Sequence, residues 1–399
     1  MKSNTHGFTA TKRQLASAAL AAGLALGAAT TAVAQQTVKV GLLLPYTGTY
    51  AALGEAITNG LKLAIEENDS RLGGREVQYI VVDSEADAAK APQNMNKLVV
   101  GEGVDVVIGP VHSGVAMGML KVAREEDALT IIPNAGLNVA TRQLCAPNVF
   151  RTSFSAWQTA YPMGKVAYDL GYRDIVTVAW NYSFGKESLE AFEQGFKEAG
   201  GNIVKQILTP FPDVEFQAYL TDIASTRPDA VFAFYAGGGA VKFVKDYAAA
   251  GLNESIPLLG AGFLTEGNLE AQGEAAEGVL TTLHYGDDLG LEANQAFQDA
   301  YKSTYGKEAD LYAVQGYDAG RLLVKALETV GGDTEDKEAL IAAMEAVQFD
   351  SPRGPWHFSA AHNPVQNIYL REVRDGTNQV VGVAAEALAD PATGCRMAD

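Results

Sequence analysis

The feature of this sequence that most constrains its fold is a regular alternation of short apolar runs with longer amphipathic stretches. Val38–Leu44 has the composition of a buried strand, and Ala52–Asn68 follows it with apolar residues at helical spacing. Val77–Asp83, Val104–Gly109 and Leu129–Pro133 repeat the strand pattern, with helical stretches between them. Strands that alternate with helices form βαβ units, in which the strands lie parallel in one sheet. The first part of the chain is therefore predicted to be a doubly wound α/β lobe.

The same alternation begins again after the stretch Phe150–Ser155, which is predicted to be part of a hinge. Ile175–Trp180 is predicted to be a strand and Lys186–Ala199 a helix. Further strands are expected at Ile203–Leu208, Ala230–Tyr235 and Ile256–Gly260. A chain of 399 residues is too long for one ordinary hydrophobic core. Two consecutive blocks of this kind therefore predict two α/β lobes.

The last third of the chain has a different pattern. Two amphipathic helices are predicted, Glu292–Tyr305 and Tyr312–Thr329, and no strand is expected between residues 284 and 367. Ile368–Val373 and Gln379–Val383 are then predicted to pair as a hairpin. Helices without strands cannot build a third sheet, so we expect them to pack back onto one of the lobes. The chain would then cross the hinge several times, and the expected lobes are residues 36–152 with 285–356 and residues 153–284 with 357–399.

The N-terminus has the three parts of a secretory signal peptide. Basic residues near the start are followed by the uncharged apolar run Leu15–Ala29 and by the small-residue pattern Ala32-Val33-Ala34. A membrane anchor is the alternative, but a spanning helix needs about 20 apolar residues, and this run is shorter. We therefore expect residues 1–34 to be a signal peptide, cleaved after Ala34, and the protein to be exported to the periplasm.

Charge and cysteine content limit the partners and the compartment. The chain carries a formal net charge of −18, which repels nucleic acid and anionic lipid, so neither is expected as a partner. Its two cysteines, Cys145 and Cys395, would meet an oxidising compartment after export. Such a pair more often forms a disulfide than two free thiols. We expect a Cys145–Cys395 disulfide, with two separate buried thiols as the alternative.

Motifs typical of enzymes are missing from the sequence. It contains no phosphate-binding Gly-x-x-x-x-Gly-Lys-Ser/Thr loop, no Gly-x-Ser-x-Gly elbow and no His-Glu-x-x-His zinc motif. His357 and His362 are five residues apart, which would place them on different faces of a helix. We therefore expect no catalytic role, no metal site and no cofactor.

The candidate binding residues lie where predicted strands end, because open α/β sheets bind ligands beyond the carboxyl ends of their strands. The loop after the first strand offers two tyrosines, and the next offers a serine at a helix N-terminus, where backbone amides can bind an anion. A third loop is made of small residues that let a ligand approach the backbone. The candidates in the first lobe are Tyr46, Tyr50, His112, Ser113, Asn134, Ala135 and Gly136.

The second block offers a matching set of loops at its own strand ends. Each of them combines aromatic side chains with glycine before the next helix. The candidates there are Tyr182, Phe184, Tyr235, Gly238 and Phe263. A cleft between the two lobes is where both sets of loops would converge on a small molecule. For each aromatic residue in either set, burial in a lobe core is the alternative.

Several short segments, in this order and spacing behind a signal peptide, resemble the periplasmic solute-binding proteins of ABC importers, in the branch of the leucine/isoleucine/valine-binding protein. They are Val40–Pro45 with Gly48 and Gly54, Asp105–Pro110, Phe150–Thr152, Phe184–Lys186 and Tyr317–Ala319. The resemblance covers nearly all of the chain after the signal segment. It implies the type I periplasmic binding fold, in which two α/β lobes joined by three crossovers close on a ligand. It also implies an inner-membrane permease as partner, and we expect a monomer.

The resemblance further implies roles for individual residues. The ligand's carboxylate would lie near Ser113, Ala135 and Gly136, while Tyr50 would line the first lobe and Phe184 and Tyr235 the second. The amino-acid binders of the family hold the ligand's ammonium with an acidic residue just after the strand that ends at Gly260. This chain departs from that pattern, because Phe263 stands there and Glu266 follows three residues later.

That departure bears on the ligand, because a buried ammonium without a carboxylate partner is costly. We therefore expect a small organic acid, and specifically an aromatic carboxylate. The alternatives are a branched-chain amino acid, an amide, a sensor subunit that reports to a signalling partner, and a hydrolase that uses His112 with Ser113.

Overall fold

The computed structural model describes Met1 and residues 37–213 and 215–398. The predicted signal segment, apart from Met1, lies outside these residues, and so does its expected cleavage site after Ala34. Within the described residues the strands form two sheets, one of six strands and one of eight. Helices cover both sheets, and the predicted α/β fold is confirmed. No helix in the described part of the chain is both long and apolar enough to cross a membrane.

The first sheet has the strand order β2-β3-β1-β4-β5-β6, and all neighbours are parallel except β2 and β3. Its strands are β1 Val38–Leu44, β2 Arg71–Leu72, β3 Arg75–Asp83, β4 Val106–Ile108, β5 Thr130–Ile132 and β6 Val149–Arg151. Val40, Leu42 and Leu44 of β1 are fully buried, as expected for a central parallel strand covered on both faces. The order of the strands reverses at β1, so the loops after β1 and β4 diverge there and leave a crevice.

The second sheet has the strand order β12-β13-β11-β10-β9-β7-β8, with β14 on β13. Its strands are β7 Asp174–Trp180, β8 Asn202–Thr209, β9 Ala230–Phe234, β10 Leu258–Ala261, β11 Leu280–Leu283, β12 His357–Phe358, β13 Pro364–Arg374 and β14 Thr377–Leu388. The predicted hairpin is confirmed as β13 and β14, which are antiparallel. The expectation of no strand before residue 368 is wrong, because the two-residue strand β12 and an earlier start of β13 precede it. A strand of two residues carries no readable periodicity.

The helices connect the strands in both sheets. They are α1 Ala51–Glu66, α2 Ala91–Asn96, α3 Ser113–Glu125, α4 Ala156–Asp169, α5 Ser183–Ala199, α6 Gln217–Thr226, α7 Gly237–Ala249, α8 Leu269–Gln272, α9 Glu292–Tyr305, α10 Leu311–Thr329 and α11 Lys337–Ala346. Most follow a strand directly, which places their N-termini at the carboxyl edge of a sheet.

Helix α10 packs closely on α1, although it follows the second sheet in the chain. A side-chain carbon on Gly60 would lie 1.9 Å from the carbonyl oxygen of Ala313, and one on Gly316 would lie 1.9 Å from that of Ile57. Only glycine permits this approach of two helix backbones. Buried residues of α10 and α11, among them Leu323 and Met344, share a core with β1 and β4. These late helices therefore pack on the first sheet.

Within the described residues the chain passes between the sheets three times, and a buried arginine in the third crossing contacts the first. Arg353 donates to the carbonyl oxygens of Thr152 at 2.6 Å and Ser153 at 3.1 Å, in the first crossing. Its Nε lies 2.8 Å from the carboxylate of Asp318 on α10, and all of these groups are buried. The lobe boundaries given above stay a prediction.

The predicted disulfide between Cys145 and Cys395 is confirmed. It joins the C-terminal tail to the segment between β5 and β6. Arg142 and Asp390 form a bidentate ion pair beside it, with both contacts at 2.9 Å. The tail that leaves β14 is thereby fastened to the first sheet's half of the molecule.

Candidate functional site

A small cavity lies where loops from both sheets meet. Tyr50 and Val111 come from the loops after β1 and β4, which flank the reversal of strand order in the first sheet. Tyr182 and Ala236 follow β7 and β9, which flank the corresponding reversal in the second sheet. Open α/β sheets bind their ligands at such points. Two of them face each other here, so the cavity is the best candidate for a binding site.

The cavity is nearly closed in this structure, with a free volume of about 20 Å³, and about 270 Å³ lies between its walls when the opening to solvent is included. Among the described residues that line it, none carries a charge. The lining residues are Tyr50, Leu53, Val111, Asn134, Phe154, Tyr182, Phe184, Phe234, Ala236, Phe263 and Tyr312. A small space with mostly aromatic walls and few polar groups suits a small, largely apolar ligand.

Four phenylalanines form one wall of this cavity. The Phe154 ring centre lies 4.9 Å from that of Phe263, and the Phe184 ring centre lies 4.6 Å from that of Phe234. Phe184 and Phe263 meet edge to face at 5.6 Å. Edge-to-face and tilted pairs are favourable ring geometries, so this wall is an ordered surface against which another ring can pack.

Aromatic side chains from both sheets meet beside the cavity. The hydroxyl oxygens of Tyr50 and Tyr182 lie 3.0 Å apart in a hydrogen bond. The His112 ring stacks on Tyr182 with the ring centres 4.4 Å apart. Gly237 has a φ of +54° and approaches the backbone of Thr49 so closely that a side-chain carbon would lie 2.4 Å from its carbonyl oxygen. The two halves of the molecule are therefore in contact at this edge of the cleft.

His112 and Ser113 lie at the start of α3, and each has one polar atom without a hydrogen-bond partner in the described chain. Backbone amides of Gly114 and Val115 donate to His112 Nδ1, at 3.1 and 3.4 Å. Burial lowers the pKa of His112 to about 4, so the ring is neutral near pH 7 and carries its hydrogen on Nε2. That Nε2 and the Ser113 hydroxyl are buried without a hydrogen-bond partner in the described chain. Both are donors without a partner, and neither residue belongs to the cavity lining itself.

The small-residue loop after β5 supports the cavity through its backbone and one amide side chain. Asn134 lines the cavity and donates from Nδ2 to Gln315 Oε1 of α10 at 2.7 Å. The Ala135 N–H donates to the carbonyl oxygen of Pro110. A side-chain carbon at Gly136 would lie 2.3 Å from the Phe184 ring. Glycine is needed here because the phenylalanine wall closes against this loop.

Seven of the twelve predicted binding residues lie outside the lining, and three of these contact other parts of the protein. The Tyr46 hydroxyl is hydrogen-bonded to Thr58 at 2.8 Å, on α1. The Tyr235 hydroxyl is hydrogen-bonded to Thr209 at 3.2 Å, and its ring packs against Phe216 and Phe243. Gly238 lies beside the side chain of Thr49. The structure thus brings Tyr50, Asn134, Tyr182, Phe184 and Phe263 to the cavity wall, with His112, Ser113, Ala135 and Gly136 behind or beside it.

Sequence reasoning missed six lining residues, among them Phe154, Phe234 and Tyr312. Phe234 is the last residue of β9, one position before the tyrosine that was chosen. Phe154 belongs to the stretch that was predicted to be a hinge only. Tyr312 lies in the first turn of α10 and follows no strand, so a search of strand ends does not find it. The other three are Leu53, Val111 and Ala236.

The acidic residue nearest in sequence to Phe263 is not free to hold an ammonium. Glu266 is buried, and its Oε2 lies 2.6 Å from Arg371 Nη1. Its Oε1 accepts the backbone N–H of Leu311 at 2.8 Å. Both carboxylate oxygens are therefore committed to the protein itself. In the described residues there is also no cluster of histidine, cysteine, aspartate or glutamate that could hold a metal ion.

Comparison with known proteins places this chain in a family. Residues 37–378 match the family model described as periplasmic binding protein. The Leu/Ile/Val-binding protein homolog 6 of Brucella melitensis biotype 1 is 32% identical over 369 residues, which cover 90% of this chain and 94% of that protein. The chain belongs to the periplasmic binding protein family. It is a solute-binding protein of the ABC-transporter type, and its relatives in this family are transport proteins rather than enzymes.

Two solved structures are similar over nearly the whole fold. One is an ABC-transporter solute-binding protein from R. palustris in complex with benzoate, with a TM-score of 0.89 and 51% sequence identity, covering 90% of this chain and 100% of that one. The other is a solute-binding protein from Rhodopseudomonas palustris BisB5 in complex with 3,4-dihydroxybenzoic acid. It has a TM-score of 0.84 and 32% identity, covering 89% of this chain and 99% of that one. The type I periplasmic binding fold is thereby confirmed.

Proposed function

We propose that this protein captures benzoate or a closely related aromatic carboxylate in the cavity and presents it to an ABC permease. The observation that carries the proposal is the cavity itself, which is lined by rings and by no charged side chain in the described chain. An aromatic ring can pack against the phenylalanine wall, and neutral donors can bind the carboxylate. The benzoate complex of the 51% identical protein supports this choice of ligand.

A branched-chain amino acid is the second candidate, because the 32% identical relative is named a Leu/Ile/Val-binding protein homolog. Its ammonium group would need an acidic partner inside the site. Phe263 lines the cavity at the position where the resemblance expects that acid, and Glu266 is bound to Arg371. The contacts of Glu266 therefore favour an acid without an ammonium group.

The proposed mechanism is binding without chemistry. The ligand's carboxylate is held by the donors at the start of α3, while the ring packs against the phenylalanines from the second sheet. Closure of the two predicted lobes brings Tyr50 and Tyr182 together over the ligand and excludes water. The closed form is then recognised by the permease. In this proposal the protein acts in the periplasm, after cleavage following Ala34.

A thermal-shift panel with sodium benzoate and L-leucine tests the proposal. A ligand that binds only the folded protein raises the melting temperature in proportion to RT ln(1 + [L]/Kd). We expect a clear increase with benzoate and none with leucine at equal concentration. The opposite result would contradict the proposed ligand.

Substitution of Phe263 makes the same test specific to the site. Phe263→Asp places a carboxylate in the cavity wall, and we expect it to abolish the benzoate response because two anions would be buried together. The matched control is Phe263→Leu, which keeps the wall apolar and should retain binding. Equal benzoate responses in both variants would place the binding site elsewhere.

A further inference from the structure

Tyr312 is the one lining side chain of the described cavity whose hydroxyl has no role in the protein. The hydroxyls of Tyr50 and Tyr182 bind each other, and the amide nitrogen of Asn134 binds Gln315. The Tyr312 hydroxyl is buried and has no hydrogen-bond partner in the described chain. The whole residue is only 1% exposed.

This arrangement is unusual, because buried hydroxyls are normally hydrogen-bonded and lose free energy when they are not. Other buried tyrosines of this protein follow the rule. The Tyr247 hydroxyl donates to the carbonyl oxygen of Ile256 at 2.9 Å, and the Tyr285 hydroxyl donates to Asn294 Oδ1 at 2.8 Å. A group from outside the chain, bound in the cavity, would supply the partner that Tyr312 lacks.

The backbone around Tyr312 is held in place from both halves of the molecule. The preceding residue, Leu311, donates its N–H to Glu266, which Arg371 holds in turn. Asp310 caps the helix by accepting the N–H of Ala313 at 2.9 Å. Contacts from the second sheet and the close packing of α10 on α1 thus fix the start of this helix. The phenol is therefore pre-positioned for a ligand, with little freedom to lose on binding.

We propose that Tyr312 donates its hydroxyl hydrogen to a carboxylate oxygen of the bound ligand and so selects acids over neutral aromatics of the same shape. The inference rests on the proposed function in that the expected ligand is an aromatic carboxylate. No cationic side chain lines the described cavity, so uncharged donors must hold the anion. A hydrogen bond from a neutral donor to an ionised oxygen is about twice as strong as one to a neutral acceptor. Burial raises the pKa of the Tyr312 phenol, which keeps the donor hydrogen in place.

The test is the variant Tyr312→Phe, with Tyr247→Phe as its matched control. Each change removes one buried hydroxyl and keeps the ring. The free proteins are unfolded thermally, and sodium benzoate, benzamide and L-leucine are titrated calorimetrically into both variants and the wild type. We expect Tyr312→Phe to weaken benzoate binding by about ten-fold to a hundred-fold, to weaken benzamide binding less, and to leave the melting temperature of the free protein unchanged or higher. Tyr247→Phe should lower that melting temperature and leave benzoate binding unchanged.

Each alternative result decides a different point. Unchanged benzoate affinity in Tyr312→Phe would overturn the role of Tyr312 and leave the proposed function standing. A lower melting temperature with equal losses for benzoate and benzamide would also overturn it, because it would mean a structural role. If the wild type binds leucine but not benzoate, the proposed function fails. The loss of leucine affinity in Tyr312→Phe then supports a donor to the carboxylate of that ligand, and unchanged affinity overturns it.

Discussion

The predicted hinge and the cavity beside it differ in how most of their buried polar groups are satisfied, although the Thr152 hydroxyl in the hinge also has no hydrogen-bond partner in the described chain. In the hinge, Arg353 donates to two backbone carbonyls and to Gln366, and it pairs with Asp318, which also accepts from Ser351. Around the cavity, the Ser113 and Tyr312 hydroxyls and His112 Nε2 are buried without a partner in the described chain.

The contrast separates groups that hold the structure from groups that are available to a ligand. A buried polar group that is satisfied by the protein fixes the segments that it joins, and removing it leaves its partners uncompensated. A buried polar group without a partner reduces the stability of the free protein, and a ligand recovers that loss when it binds. Hinge variants should therefore act mainly on folding, and cavity variants mainly on binding.

The largest effect is expected in the hinge, for Arg353→Met. This variant keeps an unbranched apolar stem but leaves the buried Asp318 carboxylate without its cation and two carbonyl oxygens without their donor. We expect the free energy of unfolding to fall by about 3–5 kcal/mol, measured by urea denaturation. The control is Lys165→Met, which breaks an exposed pair with Asp169 and should cost less than about 1 kcal/mol. Similar decreases in unfolding free energy for the two variants would contradict the larger contribution expected of the buried ion pair.

An intermediate effect is expected at the cavity edge, from the protonation of His112. Its pKa is lowered from 6.5 to about 4 by burial, so the unfolded chain binds a proton in a pH range where the native protein does not. This contribution to stability is complete above about pH 6.5 and is lost as the pH falls from there towards 4. The shift corresponds to at most about 3 kcal/mol.

Urea denaturation of the wild type and His112→Gln at pH 7, 5.5 and 4.5 measures this contribution. As the pH falls, the unfolding free energy of the wild type should decrease more than that of His112→Gln. Loss of the cap on α3 is independent of pH and does not alter that trend. His357→Gln removes an exposed histidine and serves as control. Parallel pH curves for the wild type and His112→Gln would contradict the neutral, buried ring.

How much of this structure the sequence predicts depends on how far apart in the chain the contacting residues lie. The strands and the loops after them follow from local periodicity, and five lining residues of the cavity are found that way. Tyr235 shows the limit of that reading, since neighbouring strand residues point to opposite faces, and Phe234 rather than Tyr235 lines the cavity. Tyr312 is positioned by contacts between distant segments, among them the close packing of α10 on α1 that their glycines permit. Contacts between such distant segments leave no local periodicity to read.

The smallest effect, and the most direct comparison of the two kinds of polar group, is expected for a pair of serines. Ser155 caps α4 by accepting the N–H of Gln158 at 3.2 Å, while the Ser113 hydroxyl has no partner in the described chain. Ser155→Ala should lower the free energy of unfolding by about 1 kcal/mol and leave benzoate affinity unchanged. Ser113→Ala removes a buried hydroxyl that makes no hydrogen bond, so it should leave the free energy of unfolding unchanged or higher, and it should weaken benzoate binding by about ten-fold. Urea denaturation and calorimetric titration of both variants give the four values. The contrary outcome is that Ser113→Ala lowers the free energy of unfolding as much as Ser155→Ala and leaves benzoate affinity unchanged. That result would mean that the Ser113 hydroxyl stabilises the fold, and it would contradict the contrast between the cavity and the hinge.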